Sequence, residues 1–89
     1  MYVNEKTIIM HEYLPTKSII DFCNNYAKEH SITKIEKINL VVGDSHGFVQ
    51  SSMELYFDII AENTPCEGAV LCIERPVDKK EFYIKSIEI

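Results

Sequence analysis

The sequence predicts an α/β domain of the two-layer α+β kind, with two helices on one face of a three-stranded mixed sheet in the order α-β-α-β-β. Two segments carry apolar residues at helical spacing, and three carry β-rich runs bounded by turn formers. With 89 residues the chain has room for one modest core and no second.

The elements follow in order. From Thr16 to about His30, Ile19, Ile20, Cys23, Tyr26 and Ala27 share a face, while Lys17, Asp21, Asn24, Asn25, Lys28 and Glu29 take the other. Pro15 suits a first helical turn and biases Leu14 away from helix, so His11 and Glu12 are expected just outside, near the positive end. There Glu12 would be an exposed carboxylate favoured by the dipole, and His30 an imidazole favoured at the last turn. Ile38, Leu40 and Val42 alternate inward in a first strand closed by Gly43-Asp44. Val49, Met53, Tyr56, Phe57 and Ile60 mark a second helix ending near Asn63, which tolerates a left-handed cap. After Asn63-Thr64-Pro65, Ala69, Leu71 and Ile73 alternate in a second strand, and Glu81 to Ile89 forms a third. A helix between the first two strands implies a parallel crossover. The short link Arg75 to Lys80 implies a hairpin between the last two.

Composition narrows the function. The formal charge of -5, with nine basic residues scattered among fourteen acidic ones, argues against nucleic acid and anionic membranes, whose binding needs clustered Lys and Arg. No apolar run approaches the length of a membrane span and the start lacks a signal-peptide core, so a soluble cytoplasmic protein is expected. Cys23, Cys66 and Cys72 include no CxxC pair and read as reduced thiols, with Cys66, ahead of a strand, expected to be the most exposed. No Ser-His-Asp arrangement and no glycine-rich phosphate loop appears, so no catalysis is expected.

Met10-His11-Glu12 sets an imidazole beside a carboxylate. Nickel(II) favours imidazole and amide nitrogen, which makes the pair a plausible grip for that ion. In the loop Gly43 to Gly47, His46 could add a second imidazole with Asp44 orienting it, although a histidine in such a turn is more often simply exposed.

Met10-His11-Glu12, Gly43-Asp44, Asn63-Thr64-Pro65-Cys66-Glu67-Gly68-Ala69 and Tyr83-Ile84-Lys85-Ser86-Ile87-Glu88-Ile89 together resemble the HypA/HybF family of hydrogenase nickel-incorporation proteins. The resemblance covers Met10 to Ile89, leaving residues 1–9 as an N-terminal extension. It implies that His11 and Glu12 carry nickel, and that hydrogenase maturation proteins or the hydrogenase precursor are the partners. Family members carry a zinc-binding insert with two CxxC pairs between the last two strands. Here Arg75-Pro76-Val77-Asp78-Lys79-Lys80 stands instead, so a domain without the zinc subdomain, and without zinc, is expected. The extension also denies the nitrogen of Met10 a terminal-amine role. The functional expectation is a Ni(II) metallochaperone. Its rival is a degenerate relative kept as an interaction or oligomerisation module with no metal, in which Thr7-Ile8-Ile9 adds an edge strand or pairs a homodimer.

Overall fold

The computed structural model describes residues 5–89, with side chains from His11 onward. The elements are α1 (Glu5–Glu29), β1 (Lys37–Val42), a single 3-10 turn (Asp44–His46), α2 (Gln50–Ile60), β2 (Val70–Glu74) and β3 (Phe82–Glu88). Ile19, Ile20, Cys23 and Ala27 from α1 and Met53 and Phe57 from α2 close over Ile38, Leu40 and Val42 of β1. Leu71 and Ile73 of β2, with Phe82, Ile84 and Ile87 of β3, flank that core. Two helices therefore cover one face of a three-stranded mixed sheet, as the pattern of inward residues predicts.

α1 begins earlier than the sequence suggested. It runs through the boundary expected at residue 10, holds Thr7 to Ile9 as helix instead of an edge strand, and places His11 and Glu12 inside the helix. Pro15 is an interior residue and has no N–H to give the His11 carbonyl. Hydroxyls that follow it bond back to carbonyls that precede it. Thr16 Oγ1 donates to the Glu12 carbonyl at 2.7 Å, and Ser18 Oγ donates to the Leu14 carbonyl at 3.0 Å. Thr16 is fully buried, so tertiary packing overrides the local stop signal that proline provides.

The helix ends as a Schellman motif. Ile32 N–H reaches the Ala27 carbonyl at 2.8 Å, and Ser31 takes the left-handed conformation at φ 54°. The sequence gives no Gly there, so a serine bears the cost. Asn63 is also left-handed, at φ 61°, three residues beyond the end of α2.

β1 is the central strand: the order is β2-β1-β3, with β1 parallel to β2 and antiparallel to β3. The expected hairpin does not exist. The connection from Arg75 to Glu81 crosses the end of β1 and delivers β3 to the opposite edge, a span of two strand spacings, about 10 Å. It is stitched to that end: Gly43 N–H donates to the Glu81 carbonyl at 2.7 Å, Asp44 N–H to Pro76 at 3.1 Å and Ser45 N–H to Lys79 at 3.1 Å. Asp78 N–H donates to Asp44 Oδ1 at 2.7 Å, and Arg75 Nε to the Val42 carbonyl at 2.8 Å. A Cβ on Gly43 would lie 2.1 Å from the Lys79 carbonyl oxygen, so only glycine allows the crossing.

β3 carries a bulge. Leu40 pairs with Ile84 but Asn39 with Ser86, which leaves Lys85 as the extra residue and lets Ile84 and Ile87 both face the core. Lys85 Nζ reaches Glu74 Oε1 at 2.9 Å, and hydrogen bonds from Asn39 to Ser86 and Glu88 add to a polar outer face. An antiparallel edge and a polar surface suit a sheet with one face in water.

Candidate metal centre

The connection between β1 and α2 brings the candidate residues together. After the 3-10 turn, Gly47 turns left-handed at φ 69°, Phe48 packs inward, and Val49 stands at the N-cap of α2. Across from it, Glu12 of α1 is 4% exposed and sends Oε2 toward the Val49 N–H at 3.5 Å. Glu12 is thus not the exposed carboxylate at the start of its own helix that the sequence suggested. It meets the positive end of α2, which has no side-chain cap of its own and no acidic residue in its first turn.

His11 sits at the rim with its side chain 54% exposed, and its Nε2 lies 4.0 Å from Glu12 Oε2. First-row divalent ions bind nitrogen and oxygen at about 2.0–2.2 Å, so both atoms can reach one ion between them. The His11 ring lies 4.7 Å from the Phe48 ring, tilted by 51°.

His46 joins the same cluster from the other direction. Its ring stacks on Phe48 at 5.2 Å with an interplanar angle of 2°, and meets Phe82 edge-on at 6.0 Å. Its Nε2 is engaged by the Lys80 carbonyl of the crossing connection. The nitrogen is committed to the scaffold, and Asp44, expected to orient it, is committed to Asp78 N–H. Among the described residues, no cluster of three or more His, Cys, Asp or Glu side chains is arranged to hold a metal.

Phe48 and Phe82 are the residues that sequence reasoning passed over. Phe48 follows a Gly in a loop and falls outside the helical stripe, so no periodicity marks it; only the sheet topology brings Phe82 to it, at 5.7 Å. His30 lies beyond the last turn of α1, its ring tilted by 36° against that of Tyr26 at 4.3 Å.

The thiols are away from this site. Cys66, expected to be exposed, is fully buried, because the loop before β2 folds under α1 and carries it into the core. Its Sγ donates to Asn24 Oδ1 at 3.2 Å. Cys23 lies beside it. Their mutual hydrogen bond holds Cys66 below the usual thiol range and, together with burial, pushes Cys23 above it. Cys72 is the more accessible thiol, half-buried on β2.

Comparison with known proteins gives a consistent result. The family model for "Hydrogenase/urease nickel incorporation, metallochaperone, hypA" matches residues 10–81. A hydrogenase maturation factor HypA from Caldanaerobacter subterraneus is 37% identical over 113 aligned positions, covering 90% of this chain and 99% of that protein. Since this chain has 89 residues, at least 24 of those 113 positions face a gap in it. HypA proteins from Dehalococcoides mccartyi and Psychromonas ingrahamii are 36% and 38% identical, and are matched over only 56% and 57% of their own lengths. A solution structure of a HypA protein superposes with a TM-score of 0.67 at 25% identity, over 86% of this chain and 71% of that one. With a family model over most of its length and a relative of this similarity, the chain belongs to the HypA family of nickel-incorporation metallochaperones.

Proposed function

We propose that the chain captures Ni(II) at His11 and Glu12 and passes it to a partner in hydrogenase maturation, the role its family carries. The observation that carries this reading is the 4.0 Å separation of His11 Nε2 and Glu12 Oε2 at the rim of the domain. One donor is open to water and can meet an arriving ion, while the other is held inside by the start of α2. Imidazole and backbone nitrogen suit nickel, and a carboxylate adds charge. Two side-chain donors leave coordination positions for water or for a ligand of the receiving protein, as transfer requires.

The chain acts as a carrier and not as an enzyme: an ion is bound and released, and no bond of a substrate is broken. The receiver is a hydrogenase maturation protein or the hydrogenase precursor. Among the described residues no helix is long and apolar enough to cross a membrane. The three free cysteines support a reducing compartment, the cytoplasm.

Isothermal titration of the intact chain with nickel chloride tests the assignment. One ion should bind per chain, and His11→Ala should abolish that uptake while its circular dichroism stays unchanged. Equal uptake by the two proteins removes His11 from the site.

A further inference from the structure

We propose that Phe48 is a positioning residue for nickel capture, its ring fixing the direction in which the His11 imidazole points; the proposal rests on His11 being a ligand. An imidazole on an exposed helix surface has several accessible rotamers, and only some turn Nε2 toward Glu12. The His11 ring is met by Phe48 of the connection between β1 and α2, with ring centroids 4.7 Å apart and planes tilted by 51°. Aromatic contacts at this separation favour particular tilts over free rotation.

Phe48 can serve as a fixed surface because it is held from two further directions. His46 stacks parallel to it at 5.2 Å, and Phe82 meets it nearly at right angles at 5.7 Å. Both contacts are anchored in turn: His46 by the Lys80 carbonyl and Phe82 by its pairing with Val42 in the sheet. The next residue, Val49, gives its N–H to Glu12. Two consecutive residues therefore set the imidazole and the carboxylate relative to each other. Ordering one mobile side chain on binding lowers affinity by roughly two- to tenfold, and a ring already held avoids that loss.

The test compares Phe48→Leu, which keeps apolar volume but no ring, with Phe48→Tyr, which keeps the ring. The probes are nickel chloride titration and the His11 ring-proton shifts of the metal-free protein, which sense the ring current of Phe48. In Phe48→Leu the His11 resonances should move to random-coil positions and nickel affinity should fall roughly two- to tenfold at unchanged stoichiometry. Phe48→Tyr should retain both. A folded Phe48→Leu with wild-type affinity overturns the proposal, as does an equal loss in Phe48→Tyr. Should Phe48→Leu not fold, His11 resonances at random-coil positions in the wild type overturn it directly. If the wild type takes up no nickel through His11, the ligand assignment fails by that result alone, while the shifts still decide whether Phe48 holds the ring.

Discussion

Replacing Gly43 with alanine strikes the point where the connection from Arg75 to Glu81 passes over β1. The added methyl would lie 2.1 Å from the Lys79 carbonyl oxygen and 2.4 Å from its carbon, against an ordinary contact of 3.4 Å or more. Both obstacles are backbone, so the connection must retreat by more than 1 Å (about 1.3 Å to reach ordinary contact). That movement pulls on the Gly43–Glu81 bond at 2.7 Å and the Ser45–Lys79 bond at 3.1 Å, together with the Asp78–Asp44 bond at 2.7 Å. At about 0.5–1.5 kcal/mol each, losing two or three of them costs about 1–4.5 kcal/mol. Urea unfolding followed by circular dichroism measures this. Gly68→Ala is the control: Gly68 has φ +76° and nothing within 4 Å of an added Cβ, so only the backbone cost of about 1 kcal/mol applies. A Gly43→Ala loss no larger than that of Gly68→Ala would refute the close crossing.

Three more outcomes follow from the same geometry. Ser31→Gly removes a left-handed side chain at the end of α1 and should stabilise the fold by about 0.5–1 kcal/mol, read as a raised urea midpoint. A thiol reagent added to the native protein should label Cys72 ahead of Cys23 and Cys66, which should react only on unfolding; mass mapping of the labelled peptides decides the order. Glu12→Gln loses the charge at the start of α2, worth about 0.3–2 kcal/mol, but also relieves the desolvation of a buried carboxylate. The opposed effects should leave urea stability within about 1 kcal/mol of wild type, while nickel titration shows weakened uptake.

What could be read from the sequence divides along physical lines. The buried stripe Ile19, Ile20, Cys23 and Ala27, the alternation of Ile38, Leu40 and Val42, and the pair Met53 and Phe57 all emerged from periodicity, because each element buries one face. The order of strands did not. A short polar link is as compatible with a crossing over one strand end as with a hairpin, and what separates the two is the space above Gly43, a tertiary property. Pro15 misled for a related reason. Its missing N–H is a local penalty, and the buried Thr16 shows that packing outweighs it. At the candidate site, motif chemistry singled out His11 and Glu12, which the fold brings to 4.0 Å of each other. Of their partners, Phe48 belongs to a loop without period, and Val49, the first residue of the α2 stripe, meets Glu12 through its backbone N–H, so only the folded chain could show either contact.

The placement of Glu12 would also connect an ion at the proposed site to the fold. The same oxygen, Oε2, faces both the Val49 N–H and the imidazole of His11. An ion that draws on Oε2 withdraws negative charge from the first turn of α2, whose orphan amides have no cap from their own side chains. Occupancy of the proposed site would therefore be felt where α2 begins. Tyr13, adjacent to Glu12, meets Tyr56 of α2 edge-on at 5.5 Å, so the two helices are also joined one side chain away from the proposed metal pair. Phe48 and Phe82 extend the connection to the start of β3, immediately after the crossing link. With His11 and Glu12 as the proposed ligands, seated within α1 and against the entrance of α2, nickel would lie at the joint of three chain segments. A site on a free tail would carry no such consequence for the surface presented to a receiving protein.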